Sequence, residues 1–352
     1  MKEYYSSADF TNSPKYDAHI HYHTFDDLFV RKAKKANINL LAINTDFNLL
    51  PINTQFEISQ FLHRRYPQSF DFIGTFDAST FAAKTFAEDV VAQIKKYMAA
   101  GARGIKIWKN IGMILKNDAE QFVMVDDPVF DPIFAFLQKE KIPLLAHLGE
   151  PRNCWLPLEQ MTTNSAREYF SRNPKFHAYL HPEVPSYEQQ IMARDRILER
   201  YPELIFVGAH LGSMEWNLEE VAKRFDRHQN FYIDLSSRFV YIFEQTLRNR
   251  NYVIDFFETY QNRILYGSDC FVSQYNSRKW TYLFFKYFPH VYMNRLFRKT
   301  YHEIKQHWLF LSTDQVIKMG GMNKSKQLKG LKLSKNIVDR IFYENIRRVY
   351  YK

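Results

Sequence analysis

Cysteine is scarce in this chain. Cys154 and Cys270 are the only two among 352 residues, and they lie far apart. That excludes a disulfide framework and suits a reducing compartment. Long apolar runs are missing too: none reaches the roughly 20 residues needed to cross a bilayer. The opening MKEYYSSADFTNSPKY lacks the apolar stretch of a secretion signal. A cytoplasmic protein is therefore expected, with no membrane partner. No low-complexity linker interrupts the chain, so one domain is expected over residues 1–352.

Acidic residues are sparse in one part only. From 271 to 352 there are 17 Lys/Arg against 4 Asp/Glu, while residues 1–270 hold 31 against 34. The formal charge of +10 thus belongs to the C-terminal part. Such a charge run is ordinarily a solvated face, and it would also attract an anionic substrate. No nucleic-acid motif accompanies it, so the expected partner is a small molecule.

What the chain has in quantity is apolar and aromatic side chains, 46% and 17%. They suffice for a sizeable core. Eight short apolar runs recur: YDAHIHYH (16–23), LLAIN (40–44), FDFIGTF (70–76), RGIKIW (103–108), PLLAH (143–147), IFVGAH (205–210), FYIDLS (231–236) and ILYGSD (264–269). Several are nearly unbroken, as expected for strands covered on both faces of a parallel sheet. Helical patterns lie between them. Glu88 to Ala100 puts Val91, Ile94, Tyr97 and Met98 on one stripe, and Gly101 suits the stop. Ser186 with Gln189 reads as a capping box. Asp131 to Lys141, Glu215 to His228 and Tyr252 to Gln261 look similar. Eight alternations of strand and helix predict an α/β fold, a (β/α)8 TIM-type barrel.

Helical insertions are expected after strands five and eight. The first, about 149–186, contains Glu150, Arg152, Trp155, His177 and His181. The second, about 271–330, carries the aromatic and basic run WTYLFFKYFPHVYMNRLF (280–297), a helix broken by Pro289. Both are expected to overhang the barrel mouth and shape the substrate pocket. A last helix from Ser334 to about Tyr351, with Ile337, Ile341 and Ile346 at helical spacing, is expected to close the barrel.

Nearly every run ends in a polar residue: His21, Asn44, Lys106, His147, His210, Ser236 and Asp269. Barrel active sites form at these C-terminal strand ends. Strand side chains two apart point the same way, so His19 and His21 aim at one point. An HxH pair alone is a weak signal; the joint placement at one rim carries the argument. Imidazoles and carboxylates are the usual ligands of zinc and related divalent ions. His19, His21, His147 and Asp269 form the expected ligand set, for zinc first, with manganese or iron as alternatives. Such an ion turns water into a nucleophile near neutral pH. Asp269 would also accept that water's proton. His210 would act as general acid/base or orient a substrate carbonyl. Lys106, on the face it shares with Trp108, would hold an anionic substrate group or, if carboxylated, bridge a second ion. Trp108, Arg152, His181 and Arg238 are candidates for substrate contact. His23 is expected past the strand end, in a loop. Cys270 is expected to be buried and not a nucleophile.

The DxHxH at Asp17–His21, the histidine ending strand five, AHLGS around His210, YIDLS at 232–236 and ILYGSD ending at Asp269 resemble the amidohydrolase superfamily. The likeness is to its amidohydrolase-related branch, which contains aminocarboxymuconate-semialdehyde decarboxylase and the resorcylate decarboxylases. It runs from residue 16 to about 271, and IFYENIRRVY (341–350) resembles the branch's closing helix. HPEVPSYE (181–188) and Arg194-Asp195 resemble a subgroup of metal-dependent hydrolases. The resemblance implies metal ligands at His19, His21, His147 and Asp269, with His210 as catalytic acid/base. Binuclear relatives use a carboxylated lysine at the place of Lys106 and recruit the counterpart of His210 as a ligand; one ion is commoner in this branch. Relatives are often dimers, which implies a homodimer. The stretch 271–330 departs from the branch's short pattern.

The expected function is a metal-dependent hydrolase of an amide, ester or lactone in a small, anionic molecule. The second expectation is a non-oxidative decarboxylase of an aromatic or unsaturated acid. The third is a non-catalytic barrel whose basic C-terminal lobe binds a partner.

Overall fold

The computed structural model describes residues 3–47, 50–273, 287–317 and 327–351. Its strands are β1 (Lys15–His23), β2 (Ile38–Ile43), β3 (Phe70–Thr75), β4 (Ile105–Ile107), β5 (Leu144–Ala146), β6 (Phe206–Gly208), β7 (Phe231–Asp234), β8 (Ile264–Leu265) and β9 (Cys270–Ser273). They form one parallel sheet in the order β8-β7-β6-β5-β4-β3-β2-β1-β9. The eighth apolar run is split. β8 pairs with β7, and β9, a few residues on, pairs with β1. Between them the Ala18 amide donates to the Tyr266 carbonyl at 3.0 Å, and the Asp269 amide donates to the His19 carbonyl at 2.7 Å. These bonds join the two ends of the sheet, so the strands close into a TIM-type α/β barrel.

β1 carries the local device on which the site depends. Asp17 pairs with Leu40 and Ile20 pairs with Ala42, so β1 spends one residue more than β2 over this interval. This bulge reverses the in-out alternation. Before it, Tyr16 and Ala18 pack in the barrel interior with Leu41, Ile43, Leu145, Val207 and Leu265. After it, Ile20 and Tyr22 pack outward in the layer beneath the helices. His19, His21 and His23 consequently face inward. His23 is a correction to the sequence reading: it lies within β1, buried, with its ring edge-on to Phe271. Burial pushes its imidazole down to about 3. Asn44 also differs, since it accepts a hydrogen bond from Ser59 on the helix Ile52–Arg65.

The outer helices follow the expected punctuation. Phe86–Ala99 buries Val90, Ile94 and Tyr97, with Val90 in the place expected for Val91. Gly101, at φ +95°, ends that helix in the conformation that glycine adopts freely. Ser186 and Gln189 make both bonds of the capping box that opens Tyr187–Arg200. Between β5 and β6 the chain forms the helix Asn164–Arg172 and short turns around a small core of Cys154, Met161, Phe170 and Ala178.

After β9 the described chain resumes in the helix Pro289–Ser312, with Pro289 in its first turn. Proline lacks an amide that the first turn would leave unpaired anyway, so it starts this helix instead of breaking it. The helix packs along the barrel wall. Phe297 meets Phe29, Trp308 meets Phe10, and His307 stacks on Phe239 at 3.7 Å. The first part of the aromatic run, 280–286, lies outside the described residues. Cys270 is half-buried against Thr300, and burial pushes its thiol up to about 12, which removes it as a nucleophile. Among the described residues no helix is long and apolar enough to cross a membrane.

The final helical stretch runs through Lys335–Asp339, a π turn at Arg340–Glu344 and Asn345–Tyr350. Ile346, Val349 and Tyr350 join the interior cluster and plug the barrel at the end away from the mouth. Asn345 donates to the carbonyls of Gln261 and Ile264, both at 2.7 Å, which pins the plug to the start of β8. Ile346→Ala should therefore lose about 2–5 kcal/mol of stability, read as a lowered midpoint in urea unfolding.

Candidate metal centre

His19 reaches the barrel mouth from β1. Its Nδ1 lies 2.7 Å from Asp234 Oδ2, on β7. A carboxylate only accepts, so Nδ1 carries a proton and Nε2 is the ring atom left to face the mouth. Nε2 is buried without a hydrogen-bond partner and faces Asp269 Oδ1 at 3.5 Å. His21 Nε2 meets the same oxygen at 3.4 Å. The other carboxylate oxygen of Asp269 accepts from the Ser237 hydroxyl at 2.7 Å.

His210 is fixed in the same manner. Its Nδ1 lies 3.0 Å from the Ser236 carbonyl and 2.9 Å from the Ser236 hydroxyl. The carbonyl only accepts, so here too the proton sits on Nδ1 and Nε2 is left for chemistry. The ring centroids of His210 lie 4.9 Å from His19 and 4.3 Å from His147. His147 Nε2 is likewise buried without a partner. One donor atom each from His19, His210 and Asp269 lies within 4.8 Å of the others. His21, through Asp269, and His147, through His210, flank that trio.

Strain helps to hold this geometry. His210, Leu211 and Ser213 have φ of 59°, 60° and 59°, and Asp269 has 61°. Left-handed backbone at such residues costs about 1–3 kcal/mol each and needs outside support. The His210 amide donates to Asp234 Oδ1 at 2.9 Å, and Ser213 Oγ donates to the Leu148 carbonyl at 2.7 Å. The Arg194 guanidinium donates to the Gly212 carbonyl. Gly267 is required by space, because a Cβ there would sit 2.5 Å from His19 Cβ.

The charges are arranged to match. Burial alone would raise the Asp234 carboxyl, but the adjacent His19 imidazole outweighs it and holds the group well below the usual range. Asp269 is held down likewise, against burial, by His21, His210 and His19. Burial, and then the Arg238 cation, push His210 well below an ordinary histidine. His147 is pushed down by burial and by His210. Both imidazoles are thus neutral near pH 7, the state a ligand or base requires. Lys106 is buried with its ammonium unpartnered, and burial lowers it to about 8 against the pull of Asp234 and Asp269.

The remaining expected contacts are scattered. Arg238 donates from Nη1 to the Ser237 carbonyl, and its buried Nε lacks a partner. The Arg152 guanidinium lies over the Trp216 ring, 4.3 Å from its centroid. His181 is tied within its own insertion, to the Pro174 carbonyl at 3.2 Å and Glu183 at 3.5 Å. Trp108 packs on Phe47 and walls a neighbouring cavity.

Sequence reasoning assigned no role to Asp234, Glu215 or Arg194. The available signal for Asp234 was a carboxylate inside the otherwise apolar FYIDLS, since a buried charge must be partnered. Arg194 gave a weaker signal in its position shortly before AHLGS.

Glu215 is fully buried. Its Oε1 accepts from the Arg152 amide at 2.9 Å, and its Oε2 has no partner. Burial raises its carboxyl from the ordinary 4.5 to about 7. The native state thus binds this proton more tightly than the unfolded chain. Stability is undiminished below about pH 4.5, falls as pH rises through 7, and levels off above. Glu215→Gln keeps the acceptor and removes the charge. It should leave stability near wild type at pH 4 and raise it relative to wild type by about 1–3 kcal/mol at pH 8, read from urea midpoints at both values.

Comparison with known proteins places this architecture. No curated protein matches the chain in sequence. Solved structures do match in fold. A 2,6-dihydroxybenzoate decarboxylase from Rhizobium superimposes with a TM-score of 0.53 at 12% identity, covering 96% of this chain and 98% of its own. An amidohydrolase II structure gives 0.52 at 13% identity, covering 96% and 100%. A dihydroxybenzoic acid decarboxylase from Polaromonas sp. JS666, with bound manganese and the inhibitor 2-nitroresorcinol, gives 0.51 at 12%, covering 96% and 97%. The sequence model of the amidohydrolase family matches residues 74–351. Most of the barrel, from the end of β3 to the terminal plug, lies inside that match, and the chain belongs to the amidohydrolase family.

Proposed function

We propose that this chain is a metal-dependent hydrolase of an amide, ester or lactone bond in a small molecule. One observation carries the reading: neutral imidazoles and a carboxylate converge at the barrel mouth with donor atoms left over. The Nε2 atoms of His19 and His147 are buried and unpartnered, which is costly unless something binds them. His19, His21, His147 and Asp269 would hold one divalent ion, with His210 close enough to join. Their nitrogen and oxygen donors suit zinc best; manganese is the alternative, as in the Polaromonas decarboxylase. When bound, such an ion supplies Lewis acidity that acidifies water and polarises a carbonyl.

The chain's own groups supply the rest. Asp269, held ionised and oriented by Ser237, accepts the proton of the attacking water. His210, with Nδ1 fixed by Ser236, presents an unprotonated Nε2 that takes up the proton released by the water, by way of Asp269, and passes it to the leaving group. Arg238 and Lys106 set positive charge beside this point and receive an anionic substituent.

That same pair of cations, Lys106 with its ammonium unpartnered and Arg238 with its Nε unpartnered, favours a second reading, non-oxidative decarboxylation, because a substrate carboxylate would be held there as well. Fold likeness to two dihydroxybenzoate decarboxylases over 96% of the chain supports it. Product analysis separates the two. Purified protein with added zinc or manganese would be offered lactones, esters, amides and hydroxybenzoates in 18O-labelled water. The hydrolase reading expects label in the product acid. It also expects His19→Ala/His21→Ala to lose both bound metal and turnover. Carbon dioxide release without label would establish the second reading instead. Full metal content and activity in the double variant would overturn both.

A further inference from the structure

Asp269 sits at φ +61° in the gap between β8 and β9, where the eighth stave is split. An aspartate keeps that left-handed conformation only when its surroundings impose it. The hydrogen bonds on either side of it do so. Three successive amides all donate: Ser268 to Asp17 Oδ1 at 2.8 Å, Asp269 to the His19 carbonyl at 2.7 Å, and Cys270 to Ser268 Oγ at 2.9 Å. The Ser268 hydroxyl in turn donates to Asp17 Oδ2 at 2.5 Å. Asp17 is fully buried on β1, where the bulge begins. Its Oδ1 also accepts from the His19 amide at 3.3 Å. One carboxylate thus grips the backbone of His19 and the residue that precedes Asp269.

Closing the barrel does not require this side chain. The seam bonds from Ala18 to Tyr266 and from Asp269 to His19 run between backbones. Burying a carboxylate is costly unless donors surround it, and a fully satisfied buried network holds its members in one arrangement. The turn at 268–270 is what this network holds and what the backbone seam leaves loose. We propose that Asp17 is the positioning residue of Asp269: through Ser268 it holds the turn that points the Asp269 carboxylate at His19 and His21. Its bonds go to backbone amides and to Ser268, so it acts on the centre from behind. The consequence for metal binding rests on the metal-dependent reading above; the placement of the carboxylate does not.

Zinc affinity of the full-length protein, measured by competition with a chelator, reads the effect. Asp17→Ala should weaken it about tenfold or more. Ser268→Ala should weaken it in the same direction, and it serves should Asp17→Ala fail to fold. Asp17→Asn keeps an oxygen for the Ser268 amide and should lose much less. In an Asp269→Ala background neither alanine variant should weaken zinc further, because the side chain they position is gone. Unchanged affinity in both variants would overturn the proposal. So would an equal loss with and without the Asp269 side chain, which is what a general loosening of the barrel produces. Crystals of Asp17→Ala or Ser268→Ala grown without added metal give a second readout. The Asp269 carboxylate should leave its present place, 3.5 Å from His19 and 3.4 Å from His21, and an undisplaced carboxylate would contradict the proposal. Wild-type protein that takes up no zinc would overturn the metal reading alone, and the crystal comparison would then decide whether Asp17 places Asp269.

Discussion

The Asp234 carboxylate is the hub on which the site is built. One oxygen accepts from His19 on β1, and the other accepts from the His210 amide, just past β6, and from the Ser236 hydroxyl. A single buried anion thereby fixes three segments around one point. It also sets the His19 tautomer, since only a protonated Nδ1 can donate to it. Nε2 is thereby turned toward Asp269. Support of this kind from behind a ligand tunes metal affinity as strongly as many direct contacts. The negative charge in turn requires the neighbouring imidazoles, because an isolated carboxylate buried here would be driven to protonate.

Barrel geometry alone would not bring these groups together. A regular β1 would place His19 and His21 on the face opposite Tyr16 and Ala18, and those two line the interior. The bulge between Asp17 and Ile20 lets both sets point inward, apolar below and imidazole above. The left-handed residues at His210 and Asp269 do the same for β6 and the eighth stave, where the chain turns sharply at the rim. Gly267 leaves the room that His19 needs. The strain is gathered where function would use it, and the apolar plug of Ile346, Val349 and Tyr350 lies at the other end of the barrel.

Much of this was legible before any coordinates. Eight apolar runs mark the staves because parallel strands covered on both faces must be apolar, and polar strand ends mark the rim for the same reason in reverse. The His19, His21, His147, His210 and Asp269 positions follow from that rule together with the family likeness. Other features were not legible. A bulge leaves no residue signature when both pairing partners are apolar, so His23 read as loop. The split of the last stave into β8 and β9 depends on hydrogen bonds to β1, which no local pattern encodes. Pro289 could equally start or break a helix, and only the placement of the chain before it decides. Asp234 and Arg194 act through partners distant in sequence, which single-chain reading cannot pair.

The chemistry then reduces to one question of occupancy. Neutral imidazoles, an ionised carboxylate and unpartnered Nε2 atoms form a donor set whose burial is costly when empty and favourable around a cation. Anomalous diffraction at the zinc or manganese absorption edge, from crystals of the metal-loaded protein, addresses this directly. The account predicts a strong peak about 2.0–2.3 Å from His19 Nε2 and from an Asp269 oxygen, bounded by His21, His147 and His210. A fully loaded protein whose only anomalous peaks lie elsewhere would contradict it.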